Sequence, residues 1–136
     1  MIRAPEPISL HIDASTHCQL RCPSCPTAQG LIAADIGAGF LKPEELEKLL
    51  DENPTVAHLE LSNWGEIFLN PRLEEIARIA FQRNVVLTAS NGVNLNHARR
   101  SALEGVVKYR VRQMTVSIDG ASQETYEQYR IGGSFD

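Results

Sequence analysis

Strand-like and helix-like patterns alternate along this chain, and that alternation limits its fold more than any other feature. Ile8–Asp13 (ISLHID) alternates apolar and polar residues, as a half-buried strand does. Pro43–Glu52 places Leu46, Leu49 and Leu50 on one face, with proline in the first turn and acids just behind it, which predicts a helix. Val56–Leu61 alternates again, and Pro71–Phe81 spaces Leu73, Ile76, Ala77 and Ala80 helically. Val85–Ala89 is β-branched and reads as a buried strand. Asn96–Val107 predicts a helix capped by Asn96, Arg112–Ile118 a fourth strand, and Ser122–Arg130 a helix capped by Ser122. Between the first strand and the first helix, Pro26–Leu41 holds a proline, three glycines and no clear period, so it reads as a long functional loop.

Strands that alternate with amphipathic helices build a parallel sheet, because parallel neighbours need a crossover between them. The expected fold is therefore α/β, with about four βα units. A closed eight-unit barrel takes roughly 200 residues or more, and the chain has 136. The expectation is one domain, residues 1–136, forming part of a TIM-like (β/α) barrel, apparently truncated.

Composition removes several function classes. A net charge of −4 argues against a nucleic-acid surface. No apolar run approaches the roughly 20 residues that span a bilayer. Met1–Leu10 has one arginine, two prolines and no apolar stretch, unlike a secretory signal. The three cysteines all lie between positions 18 and 25. An odd, crowded set is a poor disulfide framework and suits metal or redox chemistry in a reducing compartment, so a cytoplasmic location is expected.

Cys18, Cys22 and Cys25 form a C-x3-C-x2-C run just after the first strand. Two metals fit three thiolates on one loop. Zinc would need a fourth ligand, from His17, His11 or water, giving a zinc-stabilised α/β binding module. An iron–sulfur cluster held by three thiolates would leave one iron open for another ligand.

Cys18-Gln-Leu-Arg-Cys22-Pro-Ser-Cys25 resembles the cluster motif of the radical S-adenosylmethionine (radical SAM) enzymes. Three further segments are similar to that family. Asn63-Trp64-Gly65-Glu66 resembles its Gly-Gly-Glu-Pro segment. Ser90-Asn91-Gly92 resembles its Thr-Asn-Gly segment. Ser117-Ile-Asp119-Gly120, with Glu124-Thr-Tyr-Glu and Arg130-Ile-Gly-Gly, resembles the stretch after strand four in the branch that often carries a SPASM or twitch domain. Trp64, Ile67 and Ser24 depart from the family pattern, the last standing where an aromatic often stacks near adenine.

The resemblance covers about Ile8 to Asp136 and implies the N-terminal portion of a radical SAM core. It implies that Cys18, Cys22 and Cys25 hold a [4Fe-4S] cluster, and that S-adenosylmethionine chelates the open iron. It places Gly65, Glu66, Asn91, Ser117 and Arg130 around that cofactor. It further implies reductive cleavage to a 5′-deoxyadenosyl radical, hydrogen abstraction from a substrate such as a peptide or protein, and an electron donor such as flavodoxin or ferredoxin. Bland readings stand beside these: Glu66 as a surface acid, Asn91 as a turn residue, Ser117 as a satisfied core hydroxyl, Asp119-Gly120 as a turn, Arg130 as a solvated helix residue, and Tyr126 and Tyr129 as packing. A cluster-binding remnant without turnover is a further alternative.

Overall fold

The computed structural model describes residues 8–136, so the reading of the extreme N-terminus lies mostly outside the described residues. In chain order come β1 (Ile8–His11), α1 (Leu31–Ile36), α2 (Pro43–Glu52), β2 (Val56–Glu60), a 3-10 turn (Ile67–Leu69), α3 (Leu73–Gln82), β3 (Val86–Val93), α4 (Arg100–Lys108), β4 (Gln113–Val116) and α5 (Gln123–Tyr129). The four strands form one parallel sheet in the order β1-β2-β3-β4. This is the expected βα progression, each strand pairing with the next in sequence.

The register explains why the two faces of the sheet differ. Leu10, Leu59 and Leu87 are successive partners in one row. They pack with Leu46 and Leu50 of α2 and Ile76, Ala77 and Ala80 of α3 in a single apolar core. The next row, His11, Glu60, Thr88 and Gln113, is polar across all four strands. Side chains alternate between faces along a strand, so helices cover one face and the other carries hydrogen-bonding groups. On that face Ser9 Oγ lies 2.6 Å from His58 Nδ1, and His58 Nε2 lies 2.8 Å from Thr88 Oγ1. The Thr88 hydroxyl donates to Glu60 at 2.6 Å, so it accepts from a protonated Nε2 and His58 Nδ1 accepts from Ser9.

Four sequence expectations are corrected. The segment 26–41 contains α1, bracketed by Gly30 and Gly37 at φ 78° and 84°. Its start lacks a side-chain cap, and Ile32 alone among its residues is buried, so it has neither usual helix signal. β3 runs on to Val93 through a register shift between Ala89 and Val93, which places Asn91-Gly92 inside the strand rather than after it. α4 begins at Arg100, with Arg99 at the N-cap. Asn96 instead clasps Ser134, donating to its carbonyl at 2.7 Å and accepting from its N–H at 2.8 Å. β1 and β4 are shorter than expected, although Ile12 and Ala14 N–H groups still donate to Glu60 and Leu61. α5 starts as expected, with Ser122 and Thr125 forming a reciprocal capping box.

Candidate functional site

Loops leaving the carboxyl ends of parallel strands gather on one side of the sheet, where such folds bind ligands. Cys18, Cys22 and Cys25 line one cavity of about 170 Å³ there, together with Gly65, Glu66, Asn91 and Arg130. Seven of the eight residues singled out from the sequence thus meet in one place. Ser117 lies next door, in a depression of about 580 Å³ shared with Asn94 and Tyr126. Its hydroxyl occupies the space above Gly92, where a Cβ would come within 2.3 Å of Ser117 Oγ.

The cysteine loop is held from several directions. Arg21 N–H donates to Ile131 O at 2.9 Å, and the Ser24 and Tyr129 hydroxyls lie 2.7 Å apart. Gln19 donates to Asn94 at 2.9 Å. Cys22 is buried, and burial pushes its thiol up while the nearby Arg130 guanidinium pulls it back. Arg130 Nη1 is 3.8 Å from Cys22 Sγ, and its Nε is bonded to Asp119. Arg130 is therefore no solvated helix residue, and Asp119 is more than a turn. Burial also raises the Cys18 thiol, with neighbouring Glu66 and the other two thiols adding to it. His17 sits outside this cavity, its ring packed on Phe40 with centroids 4.9 Å apart.

Glu66 is only 4% exposed, which removes the surface-acid reading. One oxygen accepts from Phe68 N–H at 3.1 Å and the other from Asn94 N–H at 2.5 Å. Burial outweighs those bonds and the Arg130 charge, and pushes the carboxyl up to about 7. Gly65 is required within the fold itself: a Cβ there would lie 1.9 Å from Ser15 O and 2.9 Å from His17 O. That close approach lets Glu66 N–H donate to His17 O at 2.8 Å, locking the β2 loop to the cysteine loop.

Two organising residues were missed. Glu60, at the end of β2, is buried and accepts from Ser62 N–H and Oγ, Thr88 Oγ1 and Ser90 N–H. Burial pushes this carboxyl up, but the hydrogen bonds outweigh it and hold it at about 2. Asn94 donates to Tyr126 Oη at 2.6 Å and accepts from Gln19, so one amide ties the cysteine loop, β3 and α5 together. Glu60 had one weak signal, an acid ending an alternating strand two residues before a serine. Asn94 had none, because Gln19 and Tyr126 are distant in sequence.

Comparisons with known proteins agree with this geometry. No protein-family model matches the chain. The AdoMet-dependent heme synthase of Methanosarcina barkeri (strain Fusaro / DSM 804) is 30% identical over 139 residues, spanning 100% of this chain and 38% of that protein. SuiB of Streptococcus suis bound to S-adenosylmethionine superposes with a TM-score of 0.70 at 15% identity, over 91% of this chain and 28% of SuiB. SuiB bound to its precursor peptide SuiA gives 0.68 at 15% identity, over 91% and 27%. BtrN in complex with AdoMet and 2-DOIA gives 0.59 at 12% identity, over 79% and 44%.

The chain belongs to the radical SAM family. It spans less than half the length of each of these relatives. The cysteine loop sits between β1 and α1, and segments after β2 and within β3 reach the same cavity. No helix among the described residues is long and apolar enough to cross a membrane.

Proposed function

We propose that this chain is the N-terminal portion of a radical SAM catalytic domain, residues 1–136, and that it holds both a [4Fe-4S] cluster and S-adenosylmethionine. The observation that carries this reading is the meeting of all three thiols with Glu66, Asn91 and Arg130 in one cavity. The cavity is lined by three thiols and no imidazole, His17 being packed on Phe40 outside it, and such a thiolate donor set suits iron–sulfur ligation with one iron left open.

Each side chain has a distinct task in this reading. Cys18, Cys22 and Cys25 ligate iron, and the Arg130 guanidinium beside Cys22 favours the thiolate. Glu66 offers a buried carboxylate with a lone pair left on each oxygen, suited to a cationic amine in a dry site. Asn91 and the Gly65 backbone line the same wall, and Ser117 reaches the cofactor from the adjoining depression. When bound, the cluster supplies the electron that cleaves S-adenosylmethionine to methionine and a 5′-deoxyadenosyl radical, which takes a hydrogen atom from substrate. The likeness to SuiB, a protein seen bound to a precursor peptide, supports a peptide or protein substrate. Companion elements are an electron donor of the flavodoxin or ferredoxin class, a SPASM-like auxiliary domain, and a reducing, cytoplasmic setting for the grouped thiols.

Anaerobic reconstitution with iron and sulfide tests this reading. The wild-type chain is expected to take up close to four irons, and the triple Cys18/Cys22/Cys25→Ala variant close to none. Equal iron in both proteins would overturn it.

A further inference from the structure

Beside the cysteine cavity lies a second, open depression of about 430 Å³, formed by His11, Asp13, Asn63, Trp64 and Asn91. Asn63, Trp64 and Asn91 belong to both, so the two hollows share a wall. Nothing in the site described above uses His11 or Asp13.

The hydrogen bonds fix which polar atoms remain available. Asn63 Nδ2 donates to Ile12 O at 3.2 Å, and a carbonyl can only accept, so the orientation of the Asn63 amide is set. Its Oδ1 therefore accepts twice, from Asn91 Nδ2 at 3.3 Å and from His11 Nδ1 at 3.1 Å. A neutral His11 that carries its proton on Nδ1 leaves Nε2 as a bare acceptor. Asn91, with one N–H of its amide on Asn63, keeps its second N–H and its carbonyl oxygen. Asp13 Oδ1 accepts from Trp64 N–H at 2.8 Å, and Oδ2 remains, with no ion-pair partner for this acid among the described residues. Trp64 is 46% exposed and adds an aromatic surface to the hollow.

Three acceptors thus remain, His11 Nε2, Asn91 Oδ1 and Asp13 Oδ2, beside the second N–H groups of Asn63 and Asn91 and the Trp64 indole N–H; Asp13 supplies a negative charge, and the apolar wall is an indole. With the Asp13 carboxylate as its charged group, such a lining disfavours an anion. It matches a group with several N–H donors and positive charge, which a carboxylate and an aromatic face both favour. We propose that this depression receives a cationic nitrogen group of the substrate, an ammonium or guanidinium, and holds it beside the cysteine cavity. The assignment of that group to a substrate rests on the cofactor reading above.

Trp64 is the only tryptophan in the chain, so its fluorescence reports on the depression directly. The iron-free chain is titrated with Nα-acetyl-lysine methylamide, its norleucine counterpart and its glutamate counterpart. A saturable response to the lysine compound is expected, with no saturation by the other two over the same range. Asp13→Asn keeps an acceptor for Trp64 N–H but removes the charge, and is expected to weaken the lysine compound tenfold or more. Asp35→Asn, on the exposed face of α1, is expected to change nothing. Equal binding of the norleucine compound, or unchanged affinity in Asp13→Asn, overturns the proposal. Competitive displacement of the lysine compound by S-adenosylmethionine also overturns it, because the hollow would then belong to the cofactor. Iron uptake plays no part in this titration, so a failed cluster assignment is read separately.

Discussion

The Ser24 and Tyr129 hydroxyls lie 2.7 Å apart, joining the residue before the third cysteine to the end of α5. Tyr129 is 40% exposed and lines the cysteine cavity, so it is more than packing. An aromatic surface thus stands beside the third cysteine although the loop itself has serine there. Tyr129→Phe removes the bridge and keeps the ring. The pair is solvent-facing, so a stability change of about 1 kcal/mol or less is expected. Hydrogen exchange at residues 20–29 is expected to rise in the variant. Unchanged protection there would show that the bridge does not hold the loop.

Glu60 sets an acid limit on stability. Its usual value is near 4.5, and hydrogen bonds from Thr88, Ser62 and Ser90 overcome the burial that opposes them and hold it at about 2. A depressed carboxyl stabilises the fold fully above its unfolded value, and that contribution is lost as pH falls from about 4.5 through about 2. The amount is on the order of 3 kcal/mol. Urea unfolding of wild type is expected to lose stability in this window, and Glu60→Gln to show a flatter slope there with lower stability at pH 7. Parallel slopes for the two proteins would contradict the role given to Glu60.

Glu66 acts in the opposite sense. Burial raises its carboxyl to about 7, so the native state holds the proton more tightly than the unfolded chain. In the iron-free protein stability is therefore expected to fall as pH rises from about 4.5 to about 7, and to stay low above that. Glu66→Gln is expected to remove this decline. A decline of the same size in the variant would assign it to another group.

Gly65 and Gly39 form a contrasting pair. A Cβ at Gly65 would meet the Ser15 and His17 backbone, whereas nothing lies within 4 Å of one at Gly39. Gly65→Ala is expected to destabilise the fold by about 3 kcal/mol or more, and Gly39→Ala to stay within about 0.5 kcal/mol. Denaturant midpoints of the two variants decide this, and similar midpoints would contradict the close approach.

Local signals made part of this fold legible before any coordinates. α2 begins and ends at Pro43 and Glu52 as expected, because proline, acids and a leucine stripe agree there. α1 escaped notice because its two bracketing glycines look like loop residues and, apart from Ile32, its apolar side chains face outward. Asn96 looked like a cap, yet its partner Ser134 comes from the far end of the chain. The same division holds in the site. The cysteines, Gly65, Glu66, Asn91 and Arg130 sit in short motifs and could be named in advance. Glu60 and Asn94 act through contacts that only the folded sheet creates.

The most direct test of the proposed joint cluster and cofactor site is the EPR spectrum of the reconstituted, dithionite-reduced chain, with and without S-adenosylmethionine. A reduced [4Fe-4S] signal is expected that changes shape on cofactor addition, with Glu66→Gln needing more cofactor for the same change. A wild-type spectrum that saturating S-adenosylmethionine leaves unaltered, or no cluster signal at all, would contradict the site described here.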